Sequence, residues 1–305
     1  MIFTDEIALK FADEYVDYLQ TGVKSATLLR LTQQLASSHS KKDIFTQDTS
    51  ELGAGDQFFV CTTCRAALNV VARMFLTPDG ELNGENAEED TKKAMLEICD
   101  TLNIQTEEVC SGLFDLNWPI IHHVMHNTNA DSRSVCGTLP IKMCKVKQEQ
   151  FNWELKIEGS ILEEAKSEKP TKTANDLNIL QLTDIHYDVD YKVGSLADCA
   201  EPMCCNRDAG SNAAQSSLAG FWTDYRDCDS PIHMIEDAFD HIVKTHTNID
   251  YIYQTGDIPA HNIWSSTIEE NKESLTTINE LIQEKFDNIP VYSCVGNHEP
   301  SPANV

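Results

Sequence analysis

The hydrophobic residues of this chain follow one spacing in its first half and another in its second half. In residues 1–37 and 56–146 they recur every three to four positions, which is the spacing of one face of an α-helix. Phe11, Tyr15 and Leu19 are an example. After residue 177, short apolar runs of strand length alternate with segments of helical period. The pattern predicts a helical first half and a mixed second half.

The mixed half contains three predicted strands and two predicted helices in alternation. The strands are predicted over 177–183, 250–255 and 291–295, and the helices over 231–246 and 269–286. Pro231 favours a helix start because its fixed φ suits the first turn. Strands that alternate with helices predict a parallel sheet with helices on its faces. The predicted fold class is therefore α+β with two domains.

Composition divides the chain into four segments. They are an N-terminal helical segment or pro-segment over 1–55 with a polar loop from 38 to 55, a cysteine-bounded helical unit over 56–146, a linker over 147–177, and an α/β domain over 178–305. The stretch EEAKSEKPTKTAND in the linker has the composition of solvated, weakly structured chain. Two folded domains joined by a polar linker are expected.

The charge of the chain excludes some partners. Its 305 residues include 49 acidic and 23 basic side chains, for a formal net charge of −26. Such a surface repels phosphates, so no nucleic-acid partner is expected. At acidic pH many carboxylates become neutral, which is compatible with an acidic compartment. Repulsion of an anionic lipid surface would also fall under such conditions, and we expect a monomer.

Eleven cysteines indicate an oxidising compartment. The pair Cys61 and Cys64 has the spacing of a zinc or redox site, but no second C-x-x-C follows, so a disulfide framework is favoured. Six cysteines allow fifteen pairings, and spacing alone does not select one. The N-terminus lacks the basic and apolar regions of a signal peptide. Giving the cysteines more weight, we expect a secreted or lysosomal protein.

Each predicted strand is followed by a polar motif. The motifs are TDIH with Asp184 and His186, TGDIPAH with Asp257 and His261, and VGNHE with Asn297 and His298. Ligands of open parallel sheets bind at the carboxyl ends of the strands, so the three loops are expected to converge on one rim. Gly256 and Gly296 are expected to let the backbone turn sharply there.

These side chains suit a pair of divalent cations. Carboxylate, imidazole and amide oxygen are common metal ligands, and two metals roughly 3.5–4 Å apart activate water and neutralise charge on a phosphoryl group. Asp184 and His186 can reach one metal, Asp257 can bridge two, and Asn297 can bind the second. A lone aspartate after a strand is more often a helix cap, but the ordered set of three motifs favours metal binding.

Several segments together resemble a known family. In order, they are LTDIHYDVDY, DCAEPMCCNRDAG, AGFWTDYRDCDSP, YIYQTGDIPAHNIW and IPVYSCVGNHE. The three polar motifs resemble those of the calcineurin-like metallophosphoesterases, and the whole set is similar to the acid sphingomyelinases over roughly residues 56–305. The resemblance implies the first part of an α/β metallophosphoesterase sandwich, preceded by an all-α saposin-like domain.

The resemblance implies a reaction and a set of site residues. The reaction is hydrolysis of sphingomyelin to ceramide and phosphocholine with two Zn²⁺ ions. The implied metal ligands are Asp184, His186, Asp257 and Asn297, and the implied catalytic residues are His298 and His261. His298 would stabilise charge at phosphorus or donate a proton, and His261 is the second candidate for protonating the leaving alkoxide.

The first six cysteines have the order of a saposin B-type domain, which would present the lipid. The implied disulfides are Cys61–Cys144, Cys64–Cys136 and Cys99–Cys110, with Cys199–Cys204 and Cys205–Cys228 in the second domain. Cys294 is left without a partner in this scheme. It is interpreted either as a buried thiol inside the third strand or as a cysteine whose partner lies beyond residue 305. Trp118, Ile120 and Ile121 are interpreted as an apolar patch that faces lipid or docks on the catalytic domain.

The family pattern also contains later histidines that this chain lacks before Val305. We therefore expect the front part of a longer enzyme, which is inactive in this 305-residue form. Two alternatives stay open. One is a saposin-type lipid-binding module attached to an inactive partial domain. The other is a related phosphodiesterase that acts on nucleotides or other soluble phosphoesters.

Overall fold

The computed structural model contains a helical unit (α1–α6), followed by an α/β unit. It describes residues 2–36, 54–76, 84–128, 131–137, 144, 173, 176–206, 214 and 217–305. The helices are α1 Ile2–Thr21, α2 Ala26–Ala36, α3 Ala54–Met74, α4 Ala87–Thr101, α5 Glu107–Asn127, α6 Ser132–Cys136, α7 Ile232–Thr245 and α8 Ile268–Lys285. The strands are β1 Ile179–Leu182, β2 Tyr251–Gln254 and β3 Val291–Ser293.

The apolar stripe predicted near the N-terminus forms part of a helical core. Phe11 stacks on Tyr15 with ring centroids 5.4 Å apart, and Leu28, Leu31 and Leu35 of α2 join the same buried cluster. Residues of α3 and α4 complete that cluster, so α1 and α2 pack against the cysteine-bounded helices. The predicted N-terminal helices are confirmed. The boundary predicted at residue 56 falls inside α3, and the described end of the predicted loop is helical.

All five disulfides implied by the family resemblance are present. They are Cys61–Cys144, Cys64–Cys136, Cys99–Cys110, Cys199–Cys204 and Cys205–Cys228. The second of them joins α3 to α6, and the third joins α4 to the start of α5. Cys294 is the free cysteine and it is exposed, so its interpretation as a buried thiol is wrong. The predicted linker lies almost entirely outside the described residues.

The α/β unit is a parallel sheet in the order β1-β2-β3, as the alternating pattern predicted. Leu182 and Ile252 belong to the core that α7 and α8 form on one face of the sheet. Pro231 is the N-cap residue of α7, and Thr267 and Glu270 form a capping box at α8. The strands are shorter than predicted, because the polar motifs leave the ladder immediately after β1, β2 and β3.

The helical unit contacts the α/β unit through the first turns of α5. Val109 packs with Met203 and Trp264 in a buried cluster. The hydroxyl of Thr106, which caps α5, donates to Glu201 Oε1 at 3.3 Å. A Cβ atom placed on Gly112 would lie 2.0 Å from the carbonyl oxygen of Trp264. The absence of a side chain at position 112 therefore allows α5 to approach the loop after β2.

The predicted apolar patch on α5 requires a correction. The Trp118 side chain is only 5% exposed and stacks on Phe114, so it does not face solvent in this structure. Ile121 packs against the cluster that contains Cys61 and Cys136, and Ile120 is half-buried. The helical spacing of apolar residues identified the apolar stripe, but tertiary packing covers part of it. Lipid contact by Ile120 and Ile121 stays a prediction.

Among the helices of the described residues, none combines the length and apolarity needed to cross a bilayer.

The close approach at Gly112 predicts an unusual response to a methyl group. In an ordinary helix, Gly→Ala stabilises by roughly 0.5–1 kcal/mol. Here the added Cβ meets a backbone carbonyl, so we expect Gly112→Ala to destabilise the protein by about 1–3 kcal/mol. Urea unfolding measures this change, with Ser111→Ala on the same helix as the control. An unchanged or higher midpoint for Gly112→Ala would show that α5 and this loop do not pack so closely.

Candidate metal centre

The polar motifs meet at the carboxyl ends of the three strands, as predicted. The loops after β1 and β2 continue side by side beyond the ladder. The backbone N–H groups of Asp184 and His186 donate to the carbonyls of Gly256 and Asp257 at 3.2 and 3.1 Å. The N–H of Tyr187 donates to Ile258 at 2.7 Å. These bonds set the two loops in a fixed register at one rim.

Three of the predicted ligand residues have a strained backbone. The φ angles are 53° at Asp184, 43° at His186 and 57° at Asp257, all in the left-handed region. A residue with a side chain costs on the order of 1–3 kcal/mol in such a conformation. Strain of this kind persists only where surrounding contacts enforce it, and it is concentrated at functional sites. The backbone therefore singles out the same residues as the motifs.

Two glycines allow the loops after β2 and β3 to touch. Gly256 has a φ of +91°, and a Cβ on it would lie 2.2 Å from the backbone nitrogen of Gly296. A Cβ on Gly296 would lie 2.3 Å from Oδ1 of Asp257. Gly256 thus serves both a turn and a close approach. Gly296 is required for the space that it leaves beside the Asp257 carboxylate.

The mixed set of Asp184, His186 and Asp257 fits a divalent cation. One ligand atom from each lies within 4.8 Å of the other two. His186 Nδ1 lies 2.9 Å from the carbonyl oxygen of Pro259, and its Nε2 lies 4.0 Å from Asp184 Oδ1. A metal-binding histidine commonly has its other nitrogen held in this way. Two carboxylates and an imidazole form a suitable donor set for a divalent metal.

Asn297 lies on the third loop of the same rim. It is exposed, and its Nδ2 donates to Asn304 Oδ1 at 3.0 Å, which directs the amide. The next residue, His298, donates its backbone N–H to Asp257 Oδ1 at 2.9 Å. The loop that carries Asn297 is therefore joined to the mixed set through the carboxylate of Asp257. Its role as a metal ligand stays a prediction.

The two predicted catalytic histidines lie beside His186. The ring centroid of His261 is 3.9 Å from that of His186 and 4.7 Å from that of His298. His261 Nδ1 lies 2.6 Å from Asp229 Oδ1, and the backbone N–H of His261 donates to Asp229 Oδ2 at 2.7 Å. His298 is buried, which together with the nearby His261 and His186 lowers its pKa. A neutral imidazole at position 298 is thereby favoured.

Sequence reasoning missed three residues that support the rim. Asp229 holds His261, but a single aspartate before a proline-capped helix gave no distinguishing signal. Glu299 was recognised only as part of a motif, yet its carboxylate accepts from the N–H groups of Asp257, Ile258 and Gly296. Asn271 on α8 is buried, and its amide donates to the carbonyls of residues 298, 299 and 300. The rim is therefore supported from a helix as well as from the loops.

Asp188 is a buried carboxyl group next to this rim. Asp188 is 3% exposed, and its Oδ2 atom has no hydrogen-bond partner within the described part of the chain. Oδ1 accepts from the N–H of Asp190 at 2.9 Å. Burial, assisted by the nearby charges of Asp229 and Asp190, raises the pKa of Asp188 to about 7. The folded protein consequently favours the neutral acid.

Comparison with known proteins agrees with this geometry. Residues 177–304 match the calcineurin-like phosphoesterase family profile, and this segment of the chain belongs to that family. Within it, the chain is similar to the sphingomyelin phosphodiesterase of Homo sapiens, with 31% identity over 210 residues that make up 68% of this chain and 33% of that protein. The family uses divalent metal, in agreement with the donor set of the rim.

Two further relatives, from other organisms, are also named as sphingomyelin phosphodiesterases. The sphingomyelin phosphodiesterase of Bos taurus is 41% identical over 126 residues, which cover 41% of this chain and 20% of that protein. Sphingomyelin phosphodiesterase B of Dictyostelium discoideum is 28% identical over 246 residues, which cover 80% of this chain and 37% of that protein. The chain thus spans between 20% and 37% of the length of these three relatives.

The Glu299 carboxylate provides a stability test of the rim. Glu299→Gln replaces one acceptor oxygen by an NH₂ group, which opposes backbone donors. Hydrogen bonds to a charged group contribute roughly 1.5–3 kcal/mol, so we expect a loss of this size in the free energy of unfolding. Urea denaturation measures it, with the exposed Glu280→Gln on α8 as the matched control. Equal losses in the two variants would contradict the role assigned to Glu299.

The burial of Asp188 predicts a pH dependence of stability. Folded Asp188 keeps its proton up to about pH 7, whereas an unfolded aspartic acid loses it near pH 4. Between these values the folded state binds more protons, so the free energy of unfolding falls as pH rises. Asp188→Asn should remove this fall, on the order of 2–4 kcal/mol between pH 4 and pH 8.

The measurement is urea unfolding of the metal-free chain across that pH range. Asp237→Asn serves as the control, because Asp237 is an exposed carboxylate on α7 and is not among the groups that shift the pKa of Asp188. We expect its pH profile to follow that of the unsubstituted protein. Parallel profiles for the Asp188→Asn variant and the unsubstituted protein would contradict the prediction.

Proposed function

We propose that this protein is a metal-dependent phosphodiesterase that hydrolyses sphingomyelin to ceramide and phosphocholine. The observation that carries the proposal is the convergence of Asp184, His186 and Asp257 with two further histidines at one rim of a parallel sheet. Family membership supports phosphoester hydrolysis, and the names of the relatives support sphingomyelin as the substrate. The matched regions make up 33% and 20% of these two relatives, so the activity is proposed for the whole protein.

The metal ligands in this proposal are Asp184, His186, Asp257 and Asn297, and the metal is zinc. When bound, a pair of divalent cations lowers the pKa of water and neutralises charge on the phosphoryl group. The described residues supply orientation for this chemistry. Pro259 fixes the His186 ring through Nδ1, and the N–H of His298 fixes the Asp257 carboxylate through Oδ1.

His261 and His298 take different parts in the proposed reaction. Asp229 holds Nδ1 of His261 at 2.6 Å and so orients the ring with Nε2 available. His261 is therefore the candidate donor, through Nε2, to the alkoxide that leaves as ceramide. His298 is buried and its lowered pKa favours the neutral ring, so in this proposal it lies beside the phosphoryl group without adding charge.

The helical unit is proposed to be a saposin B-type domain that brings lipid to the rim. Its first three disulfides have the pairing that this domain type implies. Contact between α5 and Trp264 places the unit against the loop that also carries His261. Five disulfides favour an oxidising environment, which supports a secreted or lysosomal location. Ile120 and Ile121 remain the candidates for lipid contact.

Release of phosphocholine from sphingomyelin vesicles tests the proposal. The 305-residue chain is compared with a form extended through the downstream reading frame, and we expect turnover by the extended form only. Removal of metal by a chelator should abolish it, and Zn²⁺ should restore it. His261→Gln should lower the rate by about 10²–10⁴-fold, because it removes a general acid.

His241→Gln, an exposed histidine on α7, is the matched control and should leave the rate unchanged. A soluble nucleotide phosphodiester is assayed in parallel. Faster turnover of that ester than of sphingomyelin would favour the related phosphodiesterase. Absence of turnover in the extended, metal-loaded form would leave the lipid-binding module as the better description.

A further inference from the structure

Three imidazoles meet at the rim, and one of them also belongs to the mixed set. They belong to His186, His261 and His298, and a ring nitrogen of each lies within 4.8 Å of the other two. The ring centroid of His298 is 4.9 Å from that of His186 and 4.7 Å from that of His261. Three imidazoles this close together form a group that could hold a metal ion.

The three rings are oriented in the same manner, each through Nδ1. The acceptors are Pro259 O for His186 at 2.9 Å, Asp229 Oδ1 for His261 at 2.6 Å, and Ala260 O for His298 at 3.3 Å. Metal-binding histidines almost always donate their second ring N–H to a carboxylate or a backbone carbonyl. The nitrogen that each ring would offer to a cation is therefore Nε2.

We propose that His186, His261 and His298 form a second cation site with three nitrogen ligands, which competes with the mixed set for His186. Imidazole ligands suit Zn²⁺ and Cu²⁺ better than Mg²⁺ or Ca²⁺. Three histidines that leave a fourth position open are a known arrangement for Zn²⁺. The site differs from the mixed set in its donors, because it uses no carboxylate and no amide oxygen.

The geometry requires only a small contraction. With Zn–N distances of 2.0–2.1 Å, nitrogen ligands of a tetrahedral ion lie roughly 3.3 Å apart. The side chains of His186 and His261 are 12% and 24% exposed, so they have room to turn toward the buried His298. Asp229 would stay bonded to His261 and increase the ligand strength of that ring.

Occupation of this site would have a consequence for the proposed reaction. A cation on three nitrogens engages His186 together with both histidines assigned to the phosphoryl group and the leaving group. The site would therefore inhibit turnover when the cation is in excess. This consequence rests on the proposed function, whereas cation binding itself does not.

Electron paramagnetic resonance with Cu²⁺ as the probe distinguishes the two donor sets, because imidazole nitrogens split the copper signal and oxygens do not. The 305-residue chain is stripped with a chelator and loaded with one equivalent of Cu²⁺. We expect a three-nitrogen pattern that persists in Asp184→Asn, which affects only the mixed set, and in the control His241→Gln. His261→Gln should reduce the pattern to two nitrogens.

Competition with a chromogenic chelator gives the Zn²⁺ affinity of the same variants. His261→Gln should weaken binding at least about 10-fold and Asp229→Asn about 10-fold, the low end for loss of a supporting contact. Loss of the copper signal in Asp184→Asn with no change in His261→Gln would overturn the proposal, as would the absence of a three-nitrogen pattern. An inactive extended enzyme that still shows three nitrogens would contradict the reaction and leave this site standing.

Discussion

The rim depends on one carboxylate that joins two loops from inside. Glu299 accepts backbone N–H groups from Asp257 and Ile258 after β2 and from Gly296 after β3. Backbone donors at a loop that leaves a sheet have no ladder partner, and burying them unpaired would be costly. One charged acceptor satisfies them together. The left-handed backbone at Asp257 can persist because both of its flanks are held in this way.

Residues outside the three loops also support the rim. Asn271 on α8 binds three successive carbonyls of the chain after Asn297, so the packing of α8 on the sheet fixes the third loop. Asp229 fixes the ring of His261 from the chain before α7. α8 and the segment before α7 thus support the rim without supplying a proposed metal ligand. The helical unit adds a further contact through Trp264, three residues after His261 in the chain.

The sequence was sufficient to predict which strands converge, because each polar motif directly follows an apolar run and parallel strands end at one edge. It was insufficient for contacts whose partners are distant in the chain. Asp229 and His261 are 32 positions apart, and Glu299 is 41 from Ile258. No local pattern marks such pairs. Trp118 is an apolar example of the same difficulty. The helical spacing of apolar residues identifies which face of a helix is apolar, but it does not tell which other part of the protein covers that face.

Charge imposes an order on the events at this rim. Asp184, Asp229, Asp257 and Glu299 contribute four formal negative charges there, within a chain of net charge −26. A phosphodiester is itself an anion and would be repelled by such a rim. The two divalent cations of the proposed reaction would supply four positive charges and offset that local excess. In the proposed reaction, cation binding would therefore precede binding of the phosphoryl group, and the number of cations at the rim would decide whether the substrate can approach it. By the same reasoning, a cation held by three neutral imidazoles keeps its full charge and attracts the phosphoryl group to a place where no histidine remains to donate a proton.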